Sequence, residues 1–159
     1  MTVVKILGAF GVALSGMIYF KETVAYEKLK ISQVDAYIKL IEYIKNQVEC
    51  FNLPIDRIIE SCDLEILSKC GVQNASPKTV IEIVNSTNMY VDVEISDILM
   101  KFANEFGTVY REEQIKLCLY HIGELRAYRQ GIKEKQNRER KIHLGLCLCF
   151  AASLILLLI

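Results

Sequence analysis

The chain has 159 residues, a length that suits one domain, with 19 Lys+Arg balanced by 19 Asp+Glu. Residues 31–120 carry 14 acidic against 8 basic groups, whereas residues 121–141 carry 7 basic against 3 acidic. A middle this acidic offers no basic stripe for a phosphate backbone, which argues against nucleic acid as a partner.

The first element is apolar. Ile6 to Phe20 (ILGAFGVALSGMIYF) carries no charge, and it reaches spanning length when Val3, Val4 and a snorkelling Lys5 are included. A buried core helix is the bland alternative. A cleavable leader is the sharper one, since Ala13-Leu14-Ser15 loosely resembles a small-residue cleavage site. The charges favour a retained span: only Lys5 precedes it, whereas Lys21, Lys28 and Lys30 follow, and positive charge stays on the cytoplasmic side.

Val34, Tyr37, Ile38, Ile41, Ile44 and Val48 then recur at helical spacing, with Lys39, Glu42, Lys45 and Glu49 on the other faces. One helix is expected from the membrane segment to about Gln47, bent near Lys30–Ser32. A break follows at Asn52-Leu53-Pro54, with proline at the first position of a short helix that includes Ile55, Ile58 and Ile59. Leu64 to Lys69 reads as another short helix closed by Gly71.

Residues 79–95 are ambiguous. Their β-branched content allows a hairpin across Asn85–Asn88, but Ser76-Pro77 reads as a helix start, and helices over 77–86 and 94–106 are expected. The second of these, with Ile95, Ile98, Leu99, Phe102 and Phe106, stops at Gly107. The last helix starts near Thr108 with Ile115, Cys118, Leu119, Ile122, Leu125 and Ile132 on one face. Residues 126–141 are almost wholly polar and read as a solvated basic stalk. Leu144 to Ile159 (LGLCLCFAASLILLLI) is the second uncharged segment; with Lys141, Ile142 and His143 it too can span.

The expected architecture is therefore all-α: a small helical bundle over 21–125 and a stalk over 126–141, flanked by transmembrane helices at 1–20 and 142–159. Lys21, Lys28, Arg138, Arg140 and Lys141 form the membrane flanks, placing the loop in the cytoplasm. The basic run 133–141 suits contact with anionic lipid.

No catalytic constellation stands out. There is no phosphate-binding glycine loop, no dinucleotide fingerprint and no His-Glu-x-x-His zinc motif. Cys118 and His121 lie three apart, but nothing nearby in sequence orients the imidazole, and a metal site there needs ligands from elsewhere. Six cysteines without Cys-x-x-Cys spacing fit a reduced compartment. No cofactor is expected, and the chain does not read as an enzyme. Glu112 and Glu113 have a sufficient reason in the dipole of the helix they open.

Lys5-Ile6-Leu7-Gly8 with Gly16, Pro54-Ile55, and above all Phe106-Gly107-Thr108-Val109-Tyr110-Arg111-Glu112-Glu113-Gln114 carry a resemblance. In this order, along essentially the whole chain, they resemble the stage III sporulation protein AB family of spore-forming Firmicutes. The last stretch looks like that family's Leu-Gly-x-x-Asp-Arg-Glu-x-Gln run. Tyr110 stands where an aspartate is usual, and Cys50 where a tyrosine is usual before the proline. The resemblance implies a non-enzymatic part of the mother-cell–forespore channel complex, similar in its soluble domain to type II secretion platform protein F. It implies two passes through the outer forespore membrane, with the loop on the mother-cell side. It also implies docking of a sporulation protein AA-type ATPase beside other channel-complex membrane proteins. The partner-binding surface is expected at Gly107, Thr108, Arg111, Glu112, Glu113 and Gln114. A homo-oligomeric scaffold packing through Gly8, Gly11 and Gly16 is the alternative.

Overall fold

Between Thr2 and Phe51 no proline interrupts the chain, and α1 (Thr2–Phe51) is one helix about 75 Å long at 1.5 Å per residue. α2 (Ile55–Glu60), α3 (Leu64–Cys70), α4 (Val80–Ser86) and α5 (Val93–Glu105) are short, and α6 (Arg111–Leu158) is again long. This computed structural model describes the backbone of residues 2–158 except 52–53, 73–76, 87–89 and 91. Side chains at 2–15, 17, 19–20, 56, 86, 148, 150–152 and 154–158 also lie outside the description. Among the described residues there is no strand element, and of the region 79–95 the segments Val80–Ser86 and 93–95 are helical.

The expected apolar stripe of α1 is the spine of the core. Val34, Tyr37, Ile38, Ile41, Ile44 and Val48 are all buried. They pack with Ile58 and Ile59 of α2, Leu67 and Cys70 of α3, Ile83 of α4, Ile95, Leu99 and Phe102 of α5, and Cys118, Ile122 and Leu125 of α6. Each fully buried Leu or Ile here contributes roughly 2–5 kcal/mol against truncation to alanine.

Local chemistry ends the short helices. The Asp63 carboxylate accepts from Glu65 N at 2.8 Å to open α3, and Gly71, at φ +101°, closes it with its N–H on Ser68 O at 3.0 Å. Pro54 occupies the position before α2 rather than its first residue; residues 52–53 of the expected break lie outside the described set. α4 begins at Val80, later than Ser76-Pro77 suggested. Thr79 Oγ1 accepts from Glu82 N at 3.2 Å, and the Glu82 carboxylate reaches back to Lys78 N at 2.8 Å. Ser76 itself lies outside the described residues.

α1 and α6 run antiparallel. Arg111 of α6 meets Val48, Arg126 meets Glu42 at 2.7 Å, and Arg129 meets Asp35 at 2.5 Å, so rising α6 numbers face falling α1 numbers. The N-terminal end of α1 and the C-terminal end of α6 therefore leave the bundle on the same side.

α1 runs as one continuous helix through Lys30–Ser32. Two expectations need correction. The bundle does not end at Leu125: Ile132 is buried, and Arg126, Tyr128 and Arg129 of the supposed stalk bond to groups outside α6. A polar stretch is solvated only when no neighbour offers complementary polar groups, and here α1 and the start of α5 do. Leu119 is 54% exposed, since it sits about 100° around the helix from Cys118 and falls outside the Cys118–Ile122–Leu125 face. Among the described residues no helix is long and apolar enough to cross a membrane. Most side chains of the two apolar ends lie outside that set.

Candidate functional site

The expected partner surface lies at the α5–α6 turn, at the end of the bundle opposite the two chain ends. Phe106 is buried and turns the chain out of α5 into extended backbone. Gly107 follows at φ +90°, a conformation that side chains with a Cβ disfavour. Thr108 Oγ1 donates to Glu105 O at 2.7 Å, and Gln114 Nε2 donates to Val109 O at 2.9 Å, so both hold the turn itself.

Arg111 does a different job. Its Nε donates to Val48 O at 3.1 Å, and another guanidinium nitrogen donates to Glu49 O. These carbonyls lie in the last turn of α1, where no helical N–H remains to satisfy them. A cation there also meets the negative end of the helix dipole. Arg111 thus ties the start of α6 to the end of α1, and it is a structural clamp before it is a contact residue.

Glu112 and Glu113 are exposed in the first turn of α6, and Tyr110 is 87% exposed beside them. A groove of about 460 Å³ opens next to the turn, lined by Glu105, Thr108, Val109, Glu113, Lys116, Leu117 and Tyr120. Of the six expected residues, Thr108, Arg111 and Gln114 are committed within the fold, while Glu112 and Glu113 face outward.

A second polar centre ties α1, α5 and α6 together. Lys30 Nζ sits 2.8 Å from Asp92 Oδ1, and Tyr128 OH donates to Asp92 Oδ2 at 2.6 Å. Asp92 occupies the position that caps α5 but makes no side-chain cap bond there, both oxygens being turned to the neighbouring helices. Tyr26 lays its ring 4.9 Å from Lys30 Nζ and donates to Tyr90 O at 3.3 Å. Gln33 donates to Cys70 O at 2.8 Å and accepts from Tyr90 N at 2.9 Å.

Burial disfavours the Lys30 ammonium, but the hydrogen bond and charge of Asp92 outweigh it and its pKa is raised. Hydrogen bonds from Lys30 and Tyr128 hold Asp92 below the usual carboxylate range. An open cleft of about 570 Å³ lies over this centre, walled by Glu27, Asp92, Glu94 and Glu124 with Lys30 and Lys135. The sequence did carry a signal for Lys30: it stands four residues before Val34, on the face of the buried stripe.

The thiols and histidines do not assemble a reactive pair. Burial pushes Cys62 up to about 11, and Cys70 and Cys118 up to about 12, which leaves them protonated near neutrality. His121 is buried with Nδ1 3.0 Å from Glu124 Oε2, but the contact lacks hydrogen-bond geometry, and among the described residues neither ring nitrogen has a hydrogen-bond partner. Burial lowers the His121 pKa despite the carboxylates of Glu124 and Glu105. Phe102 and Tyr120 flank the ring edge-on, giving it the surroundings of a core residue. Among the described residues no group of three or more His, Cys, Asp or Glu side chains is placed to hold a metal ion.

Lys21, Lys28, Arg138, Arg140 and Lys141, from opposite ends of the chain, are all exposed and lie on the side from which both chain ends leave. Gly16 is exposed with open space around it, whereas the side-chain surroundings of residues 8 and 11 lie outside the described set. No protein-family model, curated protein or solved structure matches this chain.

Proposed function

We propose that this chain is a non-enzymatic membrane platform of the stage III sporulation protein AB kind. In this reading residues 1–20 and 142–159 cross the outer forespore membrane. The bundle faces the mother-cell cytoplasm and docks a secretion-type ATPase of the sporulation protein AA class, beside other channel-complex membrane proteins. The observation that carries the proposal is polarity along the α1/α6 pair. The apolar, basic-flanked ends leave on one side, and the exposed acidic turn with Glu112 and Glu113 stands at the other. A partner that approaches from the cytoplasm meets that turn first. The residue run Phe106–Gln114 and the order of elements along the chain support the family assignment.

Co-purification of the full chain with the ATPase at low salt tests the docking. Retention of the ATPase, lost when Glu112→Lys and Glu113→Lys are combined, is the expected result. No retention, or retention indifferent to the double reversal, removes the docking assignment. A homo-oligomeric scaffold is the second reading, favoured by the open space around Gly16. Crosslinking of the chain expressed without its partners separates the two, because a scaffold self-associates alone.

A further inference from the structure

We propose that the end of the bundle from which both chain termini leave is a docking collar for anionic phospholipid headgroups. The collar is built jointly from Lys21 and Lys28 of α1 and from Lys135, Arg138, Arg140 and Lys141 of α6. The proposal deepens the membrane reading above and rests on it.

The antiparallel pairing of α1 and α6 brings together two basic stretches more than 100 residues apart in sequence. At this end of the pair nine of the cations fall into two groups, whereas Lys39 and Lys116, exposed without an ion pair among the described residues, stand singly elsewhere on it. Nearer the core, Lys30, Arg126 and Arg129 are taken up by Asp92, Glu42 and Asp35. Nearer the chain ends, the six collar cations are exposed, and none of them forms an ion pair among the described residues, although Lys135 borders the cleft over Asp92 and its charge acts on that carboxylate. The division falls near Ile132, the last buried apolar residue of α6 among the described residues.

Just beyond the cations, the exposed side chains turn apolar on both helices: Ile18 on α1, and Ile142, Leu144 and Leu146 on α6. A wet bundle, a ring of unpaired cations and then an apolar band is the layering that a protein presents across a membrane interface. Over residues 21–28 and 133–141 there are seven basic against four acidic side chains, so the ring keeps a positive balance. Glu134 is one of the four, and it accepts from Gln130 at 3.0 Å within α6. Arg138 and Arg140 present planar donors suited to phosphate oxygens, and the lysines add point charge. A cation near an anionic bilayer surface raises affinity about fivefold, so the collar discriminates by charge and not by apolar area, which is the same for every lipid.

The full chain is reconstituted into vesicles of phosphatidylcholine mixed with phosphatidylglycerol and then solubilised gently. The lipids that co-purify are quantified. Wild type is expected to retain phosphatidylglycerol severalfold over its share of the bilayer. Lys21→Gln with Lys28→Gln, and separately Lys135→Gln with Arg138→Gln, Arg140→Gln and Lys141→Gln, should each lose part of the enrichment, and the six together should abolish it. Since these side chains are exposed and unpaired, helix content by circular dichroism should not change. Wild-type retention in bulk proportion overturns the proposal. Loss of enrichment confined to the α6 variant overturns the joint collar. Resistance to alkaline extraction from pure phosphatidylcholine vesicles separates the two claims. A chain washed off fails the membrane reading, whereas a chain that stays embedded without lipid preference fails only this one.

Discussion

Replacing Asp92 with alanine tests the centre that joins α1, α5 and α6. The side chain of Lys30 is 11% exposed and that of Asp92 57% exposed. Deleting the exposed partner strands the buried one, whereas deleting the buried one leaves a carboxylate that water can solvate. An unpaired charge in a fully buried site costs about 3–5 kcal/mol, and a fully exposed pair contributes at most about 1 kcal/mol. Half-open Asp92 lies between these limits, and the Lys30 stem can carry its head toward solvent. Tyr128 also loses a charged acceptor, although water reaches part of that site. Asp92→Ala is therefore expected to cost about 2 kcal/mol, and Lys30→Met about 0.5 kcal/mol.

Urea unfolding of the full chain in mild detergent, followed by circular dichroism, measures both. Equal effects, or a larger loss for Lys30→Met, would refute the reasoning. pH gives a second reading. The folded Asp92 pKa is depressed, so its contribution is present above the unfolded value near 4 and is lost as pH falls through the folded value. The folded Lys30 pKa is raised, so its contribution is present below about 10.4 and is lost as pH rises through the folded value. The wild-type advantage over Asp92→Ala should form a plateau between these limits.

Arg111→Ala should destabilise the bundle by about 1–2 kcal/mol in the same assay, because it releases two α1 carbonyls, and Arg111→Lys should recover only part of that. Gly107→Ala should cost about 1 kcal/mol from its positive φ alone, since a Cβ there meets nothing within 4 Å. With Cys147→Ser and Cys149→Ser in place, an aromatic disulfide reagent at pH 8 should titrate one thiol, Cys50, in the folded chain. Cys62, Cys70 and Cys118 should react only on unfolding. Glu112→Lys with Glu113→Lys should lower stability by about 1–4 kcal/mol through the helix dipole, and an unchanged circular dichroism spectrum of the double variant shows that a loss of docking is not a loss of fold.

The core was legible because it follows from helical periodicity. The stripe Val34–Val48, the α5 face at Ile95, Leu99 and Phe102, and the left-handed Gly71 all follow from local rules. What periodicity does not encode is which polar groups meet across helices. Residues 126–132 look solvated because their partners, Glu42, Asp35 and Asp92, lie 36 to 94 positions away in sequence. Arg111 looks like a surface charge for the same reason: its acceptors are backbone carbonyls of a helix 62 residues back, and carbonyls leave no mark on a sequence pattern. Residues 79–95 were ambiguous on β-branching alone, and the Thr79–Glu82 cap shows what favours helix there.

Cys62 and Cys70 are poor probes of sidedness because both are buried, so topology is best read at Cys50. It is exposed at the far end of α1 from the apolar segment, close to the acidic turn. In a chain with Cys147→Ser and Cys149→Ser, an impermeant maleimide applied to intact cells should leave Cys50 unlabelled, and permeabilisation should expose it. Labelling of Cys50 from outside intact cells would put the bundle on the wrong side of the membrane and contradict the platform account at its base.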